Sequence, residues 1–320
     1  MNAPDPTRQQ SADLLLMIRP ASFRMNEQTA VNNAYQQPAD AEVDTVAVAQ
    51  AEFDGLVNRL RDHGITVCVQ DDDADRDTPD ALFPNNWVSF HADGRVGLYP
   101  MFAVNRRRER REDLLLRLAT DHDRHIEEFV DFTEFEKHNV FLEGTGSLIL
   151  DRVNMVAYAS LGPRTDEQAT RQFCDTFGYD LVSFKACQTS GDTSAPIYHT
   201  NVMLAIGTQW AVVCDSIIPD AAERQHVLDA LTRSGRTVIR ITANQVNGFA
   251  GNVLEVRNSS GERFITMSSA ARNAFTPEQR DRLSDFATLV HAPIPTIEHL
   301  GGGSVRCMLA EVFLPPADAL

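Results

Sequence analysis

Cysteine is the residue type in this chain most able to form a covalent bond with a substrate, and Cys307 stands in an unusual place. It lies near the C-terminus, four residues after the glycine run Gly301-Gly302-Gly303. Consecutive glycines give the backbone freedom and remove side chains from the path of a ligand. Cys307 is therefore a candidate nucleophile, although burial as a small hydrophobic residue is the more common fate of a free cysteine.

Two further residues have the chemistry to move protons or to hold a planar group. His199 opens the segment His-Thr-Asn-Val-Met, and histidine titrates near neutral pH, so it can exchange a proton with a thiol and a leaving amine. Glu143 lies in Phe-Leu-Glu-Gly-Thr-Gly-Ser, where its carboxylate can accept two N–H bonds from a guanidino or ureido group. On local sequence alone, a structural histidine and a plain turn residue are equally good interpretations.

Three asparagines accompany these residues. Asn85 and Asn86 lie in Phe-Pro-Asn-Asn-Trp, and Asn201 follows His199 by two residues. Asparagine is a common turn residue, so the local sequence gives no stronger interpretation. The other eight histidines show no metal-ligand spacing and the five cysteines form no CxxC pair, so we expect no metal site and no disulfide framework.

The elements that must position these residues recur along the chain. Small or polar residues lead into short β-prone runs five times, at 85–90, 144–150, 199–206, 251–256 and 303–312. These starts lie roughly 50 to 60 residues apart, the size of a small ββαβ unit. Helical patterns at 47–63, 167–177 and 221–233 each stop at a glycine, the usual C-cap residue, before another strand. The alternative is an ordinary α/β sheet with accidental internal similarity.

Composition limits the organisation and the partners. No linker divides the chain, so we predict one catalytic domain at 13–320 after a flexible polar tail at 1–12. The formal net charge of −16 argues against nucleic acid and anionic membrane surfaces as partners. No apolar run is long enough to span a bilayer, and we expect a cytoplasmic protein. The charged run at 105–112 is interpreted as a solvated helix face rather than a phosphate-binding patch.

Taken together, the ordered motifs identify a family. FPNNWVSF, FLEGTGS, GPRT, YHTNV and GGGSVRCML, spread from about Met17 to Pro315, resemble the guanidino-group-modifying superfamily, most closely its citrulline-utilisation hydrolases. The resemblance implies a pentein fold, a five-bladed α/β propeller of ββαβ modules around a central active site. It also implies that Cys307, His199 and Glu143 are catalytic.

The resemblance extends to the substrate-binding residues. Arg164, in the GPRT motif, is similar to the arginine that holds the substrate α-carboxylate in deiminases; the alternative is a surface arginine leading into a helix. Asn86 and Asn201 stand where deiminases carry aspartates that bind a guanidinium, and Gly146 replaces a further acidic residue. Asn85 is a fourth candidate for substrate contact. The low density of carboxylates argues against simple arginine deimination.

The resulting hypothesis is hydrolysis of a ureido or guanidino C–N bond through a covalent cysteine intermediate. Citrulline is the expected substrate, with ornithine, ammonia and carbon dioxide as products, and no metal or organic cofactor is required. An arginine-type dihydrolase, a deiminase or an amidinotransferase is the alternative within the superfamily. A non-catalytic pentein that only binds a partner is the alternative of another class, and the sequence allows a homo-oligomer.

Overall fold

The computed structural model describes residues 8–38, 44–190 and 193–318. Its strands are β1 (Leu14–Arg19), β2 (Thr66–Asp71), β3 (Val88–Phe90), β4 (Arg95–Leu98), β5 (Glu128–Asp131), β6 (Leu148–Asp151), β7 (Val156–Ser160), β8 (Asp180–Phe184), β9 (Cys187–Ser190), β10 (Thr193–Pro196), β11 (Leu204–Ile206), β12 (Trp210–Val213), β13 (Thr237–Arg240), β14 (Leu254–Arg257), β15 (Arg263–Ser268), β16 (Thr288–Ala292) and β17 (Ala310–Glu311). Its helices are α1 (Glu27–Ala30), α2 (Thr45–Asp62), α3 (Glu112–Asp121), α4 (Gly144–Ser147), α5 (Glu167–Phe177), α6 (Ala221–Arg233), α7 (Ala243–Asn247), α8 (Ser269–Ala274), α9 (Pro277–Ser284) and α10 (Pro295–Gly301).

Five three-stranded sheets with the same pairing pattern form most of the described fold, and β9 and β10 pair antiparallel in a separate two-stranded sheet. In each, the first strand pairs antiparallel with the second, and the second pairs parallel with the third, in the orders β3-β4-β5, β6-β7-β8, β11-β12-β13, β14-β15-β16 and β17-β1-β2. At least one helix connects each parallel pair, as a parallel crossover requires. The last sheet joins the two ends of the chain, with Leu15 opposite Glu311. The fold is therefore mixed α/β with a ββαβ repeat.

The β-prone runs found in the sequence differ from the structure at their starts. In four of the five, a short helical turn comes first and the strand follows, as in α4 before β6 and the 3-10 turn Thr200–Val202 before β11. Polar side chains that precede each strand are thereby held on a tight turn rather than on an extended backbone. Their backbone amides and side chains can converge on one point.

The predicted helix ends are confirmed. The helices α2, α5 and α6 are followed by Gly64, Gly178 and Gly235, each with a positive φ between 74° and 79°, a conformation that glycine adopts without steric cost. At the N-terminus of α5 the Asp166 carboxylate accepts from the N–H groups of Gln168 and Ala169. These caps fix where each crossover helix begins and ends.

The helices bury one apolar face and the inner strands bury both. Ala169, Phe173 and Phe177 recur every fourth residue on α5 and are at most 5% exposed. Each buried phenylalanine contributes about 1.5–3 kcal/mol of transfer free energy. All four residues of β6 are buried as well, so the segment that precedes it is held by core packing on both sides.

The predicted N-terminal tail falls only partly within the described residues, since 1–7 lie outside them. Gln10, Ser11 and Ala12, assigned to that tail, are buried. The Gln10 side chain donates to the Leu150 carbonyl at 2.9 Å and accepts from the Arg152 N–H at 3.0 Å. Among the helices of the described chain, none combines the length and apolar character needed to cross a membrane.

Candidate active site

The candidate catalytic residues meet where the first strands of the sheets begin. Glu143 directly precedes α4, His199 precedes the 3-10 turn before β11, and Cys307 lies in the 3-10 turn Val305–Met308 before β17. Their exposed fractions are 0%, 2% and 3%. The repeated turn-then-strand geometry thus brings together three residues that lie far apart in sequence.

Glu143 and His199 form a buried hydrogen-bonded pair. His199 Nε2 lies 2.7 Å from Glu143 Oε2, while Glu143 Oε1 accepts from the Phe102 N–H at 3.0 Å. Burial raises the pKa of Glu143, but the Arg164 charge and the His199 hydrogen bond outweigh it and hold that pKa far below its ordinary value. Glu143 is therefore an ionised acceptor.

The histidine is neutral in this environment. Burial lowers the pKa of His199 to about 4, although the hydrogen bond to Glu143 acts in the opposite direction. Because an ionised carboxylate can only accept, the proton of the neutral ring is assigned to Nε2. Nδ1 is then left unprotonated and free to accept a proton.

Two asparagine amides donate to the cysteine sulfur. Asn252 Nδ2 lies 3.2 Å and Asn201 Nδ2 lies 3.4 Å from Cys307 Sγ. Asn252 Oδ1 also accepts from the Arg306 N–H at 3.0 Å, which fixes its orientation. The interpretation of Cys307 as an inert packing residue does not account for these two polar contacts.

Asn252 was missed in the sequence, although a signal was available. It is the second residue of the run 251–256, one of the five repeated runs, and so occupies a place comparable to that of Asn86 and Asn201 in theirs. Asn201, a candidate for substrate contact, uses its amide nitrogen on Cys307. Its Oδ1 is buried with no hydrogen-bond partner among the described residues.

Gly146, the departure noted from the deiminase motif, has a steric cause. A Cβ at this position would lie 2.9 Å from His199 Nδ1 and would overlap Asn86 Nδ2. Gly144 adopts φ 45°, and a Cβ there would lie 2.9 Å from the Asn86 carbonyl oxygen. An acidic side chain at Gly146 would displace both the histidine and the asparagine, so the carboxylate is excluded by packing.

Asn86 and Asn85 have different surroundings. Asn86 lines the cavity, and its Oδ1 accepts from Arg106 Nη1 at 2.8 Å. Since a guanidinium offers only donors, this contact fixes the amide orientation and leaves Asn86 Nδ2 buried without a partner among the described residues. Asn85 is fully buried but is not part of the cavity wall that the structure describes.

Arg106 and Glu109 were not predicted as site residues from the sequence. Their burial contradicts the interpretation of 105–112 as a solvated helix face. Arg106 is 2% exposed and lines the cavity, and Glu109 is 5% exposed. Arg106 Nε and Nη2 bind the two Glu109 carboxylate oxygens, each at 2.9 Å. The two residues are three apart in the 3-10 turn Asn105–Glu109, so they lie on the same face of it.

Asp80 adds a buried carboxylate to the same cavity. Its Oδ2 accepts from Asn26 Nδ2 at 2.8 Å and from the Thr29 hydroxyl at 3.1 Å. Its Oδ1 is buried without a partner among the described residues. Burial raises the pKa of Asp80 while Arg106, 3.8 Å away, acts in the opposite direction. The unpaired oxygen is a place for a ligand N–H group.

A segment near the N-terminus covers this site. Asn33 and Gln36 donate to the carbonyls of Gly302 and Gly301 at 3.3 and 3.0 Å. A Cβ on Gly302 would lie 2.6 Å from Asn33 Nδ2. Residues 26–36 are called the cover from here on. The glycine run lets the cover pack closely against it, because a side chain there would overlap the cover.

Arg164 connects the cover to the Glu143–His199 pair. It is 2% exposed, so the alternative of a surface arginine is wrong. Its Nε donates to Asn32 Oδ1 at 2.9 Å, its Nη2 donates to Asn32 Oδ1 and to the Thr29 carbonyl, and its Nη1 lies 3.5 Å from Glu143 Oε2. The guanidinium donors are thus occupied by the cover in this conformation.

The cavity between these groups is narrow. About 10 Å³ is free inside it, close to the minimum for one water molecule and too little for an amino-acid ligand. No cluster of three or more His, Cys, Asp or Glu side chains in the described ranges is placed to hold a metal ion, and all five cysteines are free thiols.

Comparison with known proteins matches the chain to a family. The family model described as N,N dimethylarginine dimethylhydrolase, eukaryotic, matches residues 19–314, while no curated protein matches the chain. Apo ArgZ, an arginine dihydrolase from the ornithine-ammonia cycle in cyanobacteria, is 15% identical with a TM-score of 0.72, over 94% of this chain and 41% of that chain. Unliganded AgrE is also 15% identical with a TM-score of 0.72, over 96% and 40%.

A third solved structure matches over nearly its whole length. The adduct of a dimethylarginine dimethylaminohydrolase variant with S-methyl-L-thiocitrulline is 13% identical with a TM-score of 0.60, over 93% of this chain and 99% of that chain. The present chain spans about two fifths of the length of full-length ArgZ and AgrE. At these identities the likeness to solved structures shows a shared fold.

Proposed function

Because the chain belongs to the N,N-dimethylarginine dimethylhydrolase family of the guanidino-modifying pentein superfamily, we propose that it is a cysteine-dependent hydrolase of a ureido or guanidino C–N bond. Citrulline is the proposed substrate, and ornithine, ammonia and carbon dioxide are the proposed products. The buried Glu143–His199 pair and the amide donors on Cys307 support the hydrolytic chemistry.

One observation supports a ureido substrate over a guanidinium. Asn86 Nδ2 is an unpaired donor and Asn201 Oδ1 an unpaired acceptor, both buried in or beside the cavity that holds Cys307. A ureido group has a carbonyl oxygen that can accept from Asn86 Nδ2 and N–H groups that can donate to Asn201 Oδ1, whereas a guanidinium has donors only. A guanidinium would leave Asn86 Nδ2 unpaired, at a cost of about 1–3 kcal/mol for a buried polar group.

The proposed reaction has two halves. Cys307 Sγ attacks the ureido carbon while neutral His199 takes up the thiol proton; the C–N bond then breaks and the amine leaves with that proton. Water attacks the resulting thiocarbamoyl carbon, His199 accepts a water proton, and the S–C bond breaks to restore the thiol. The carbamic acid product loses carbon dioxide to release the second amine, so one water is consumed overall. The chemistry needs no metal or organic cofactor.

The other end of the substrate meets groups of complementary charge. We assign the α-carboxylate to Arg164, whose planar fork can bind two carboxylate oxygens once Asn32 withdraws. The unpaired Asp80 Oδ1 is the proposed acceptor for the α-ammonium group. Glu143 stays ionised to orient His199 and the planar ureido group.

An arginine dihydrolase is the second candidate. The matched ArgZ structures are described as an arginine dihydrolase, and the carboxylates of Asp80, Glu109 and Glu143 lie in or beside the cavity. Such an enzyme would remove ammonia from arginine and then process the enzyme-bound ureido product in a second round. Deiminases, amidinotransferases and a non-catalytic binding module remain less favoured, because no observation in the structure selects them.

We also propose how the domain is organised. The five sheets with one pairing pattern support a five-module pentein propeller whose central site is formed by the residues before each first strand. Residues 13–320 would then form a single catalytic domain. The five free thiols support a reducing compartment, so we assign the enzyme to the cytoplasm.

The function is tested by incubating the purified protein with citrulline, arginine and N,N-dimethylarginine, and assaying ammonia and ornithine. Ammonia and ornithine in equal amounts from citrulline support the proposal. Two ammonia per ornithine from arginine would select the dihydrolase, and release of dimethylamine would select a dimethylarginine hydrolase. No turnover of any of the three by folded protein would contradict hydrolysis as the function.

A further inference from the structure

A second, larger cavity lies at the opposite ends of the same inner strands. Its volume is about 570 Å³, within the range of about 300–1,000 Å³ typical of small-molecule sites. Glu143 and Cys307 precede β6 and β17, whereas Arg152 and Val312 follow these strands and line the second cavity. The two cavities share no lining residue, and the four residues of β6 alone separate them by about 13 Å.

Arg152 is a buried cation that faces this cavity without a counter-ion. It is 7% exposed. Its guanidinium lies 4.0 Å from the centre of the Phe313 ring and makes one long hydrogen bond, 3.4 Å, to the Phe90 carbonyl. No carboxylate in the described part of the chain lies within salt-bridge distance of it, and neighbouring Asp151 is paired with Arg236. An uncompensated buried charge is costly, which favours a site that an anion completes.

Other groups around the cavity increase the positive charge. Arg124 and Arg257 share one carboxylate, that of Asp13, at 3.3 and 3.0 Å. Arg124 Nε is buried and has no hydrogen-bond partner among the described residues. The Asp93 carboxylate at the rim is bound to Arg95. Arg124, Arg152 and Arg257 thus line one cavity in which Asp13 pairs with two of them and Arg152 has no carboxylate partner in the described ranges, in a protein whose net charge is −16.

The cavity wall also carries rings. Phe313 lies beneath the Arg152 guanidinium, and His91 stacks on Phe177 with 3.8 Å between ring centres. Burial lowers the pKa of His91 well below its ordinary value, so this ring is neutral and adds no charge. A charged headgroup and a flat apolar body would both find partners here.

We propose that this cavity binds a small organic anion, with a carboxylate or phosphate headgroup at Arg152 and Arg124 and a ring-bearing body against Phe313. The site is separate from the catalytic cavity and does not depend on the proposed reaction. A carboxylate and a phosphate both offer anionic oxygens that accept hydrogen bonds from a guanidinium group, and a binding experiment distinguishes the two.

The test is isothermal titration of the full chain with benzoate, phenyl phosphate and benzamide, which share a ring and differ in charge. Benzoate or phenyl phosphate should bind one per chain, and neutral benzamide should bind about tenfold more weakly or not at all. Arg152→Met keeps the apolar stem and removes the charge, and should abolish binding of the anion. If benzamide bound equally well, or neither anion bound at millimolar concentration, the proposal would be overturned.

Two matched pairs locate the ligand and protect the test from a folding defect. Ala92 lines the cavity and is exposed, so Ala92→Glu and Ala92→Gln should both fold; the charged variant should weaken anion binding and the neutral one should not. Arg164→Met, in the catalytic cavity, should leave binding unchanged. Loss of binding in Arg164→Met with retention in Arg152→Met and Ala92→Glu would place the anion in the catalytic site and overturn the assignment.

Discussion

Replacing Asn86 by aspartate changes one atom of the side chain and tests whether this residue distinguishes ureido from guanidinium substrates. In the native site Asn86 Oδ1 accepts from Arg106 at 2.8 Å, and an aspartate oxygen can keep this contact. The second oxygen would replace the unpaired Nδ2 donor and face the ureido oxygen. Two acceptors would then oppose each other in a site that is 2% exposed at this residue.

The expected size of the effect follows from these contacts. Losing the donor and leaving a buried oxygen unpaired costs about 1–3 kcal/mol, which corresponds to a decrease of roughly 5- to 150-fold in kcat/KM for citrulline. Toward arginine the new carboxylate is an additional charge-assisted acceptor. The ratio of citrulline to arginine in kcat/KM should therefore fall by about tenfold or more in Asn86→Asp.

The assay measures ammonia release with each substrate, from neutral pH upward, because a burial-raised pKa of the new acid would mute the effect at low pH. If arginine is not turned over, its inhibition constant against citrulline replaces its kcat/KM. Asn244→Asp makes the same change at an exposed residue and should leave the ratio unaltered. A folded Asn86→Asp enzyme with the wild-type ratio over the whole pH range would refute charge discrimination by Asn86.

Three other predictions concern the remaining parts of the site. Arg164→Lys loses the planar guanidinium and should raise KM for citrulline about tenfold with a smaller change in kcat. An unchanged KM, or equal activity on an analogue without the α-carboxylate, would mean that Arg164 has a structural role only. Because the pKa of His199 is about 4 in the resting enzyme, kcat/KM should stay flat as pH falls through 6.5. It should decline only when His199 becomes protonated near pH 4, with circular dichroism showing that the protein is still folded. A decline of kcat/KM near pH 6.5 would contradict a neutral, buried base. Asn252→Asp keeps the acceptor for the Arg306 N–H but removes an N–H donor to the Cys307 sulfur. Iodoacetamide should therefore alkylate Cys307 more slowly at neutral pH. An unchanged rate of alkylation would mean that the Asn252 amide does not support the thiolate.

Much of the secondary structure could be predicted because it leaves a local mark in the sequence. Glycines at 64, 178 and 235 end three helices at the predicted places, since a left-handed residue is needed there. Cys307, His199 and Glu143 stand in motifs whose order resembles one superfamily. These three candidate site residues were therefore predicted from motif order, whereas the helix ends were predicted from the glycine positions.

The rest of the site depends on tertiary contacts that have no periodic signature. Arg106 and Glu109 lie in a run of charges typical of a solvated helix, and only the tertiary packing of the turn Asn105–Glu109 buries both. Asn32 reaches Arg164 across 132 positions of sequence, and no pattern in residues 26–36 indicates a cover. Gly146 illustrates the same point, because the missing carboxylate is explained only by the nearby His199 ring and Asn86 amide.

Capture of the covalent intermediate tests the central claim most directly. Citrulline labelled at the ureido carbon is mixed with excess enzyme, quenched in acid and digested, and the labelled peptide is identified by mass spectrometry. The label should lie on Cys307, disappear on a chase with unlabelled citrulline, and be absent in Cys307→Ser, which should lose turnover by orders of magnitude, while Cys214→Ser keeps both label and turnover. Near-normal citrulline hydrolysis by folded Cys307→Ser, or turnover without label on Cys307, would contradict the mechanism.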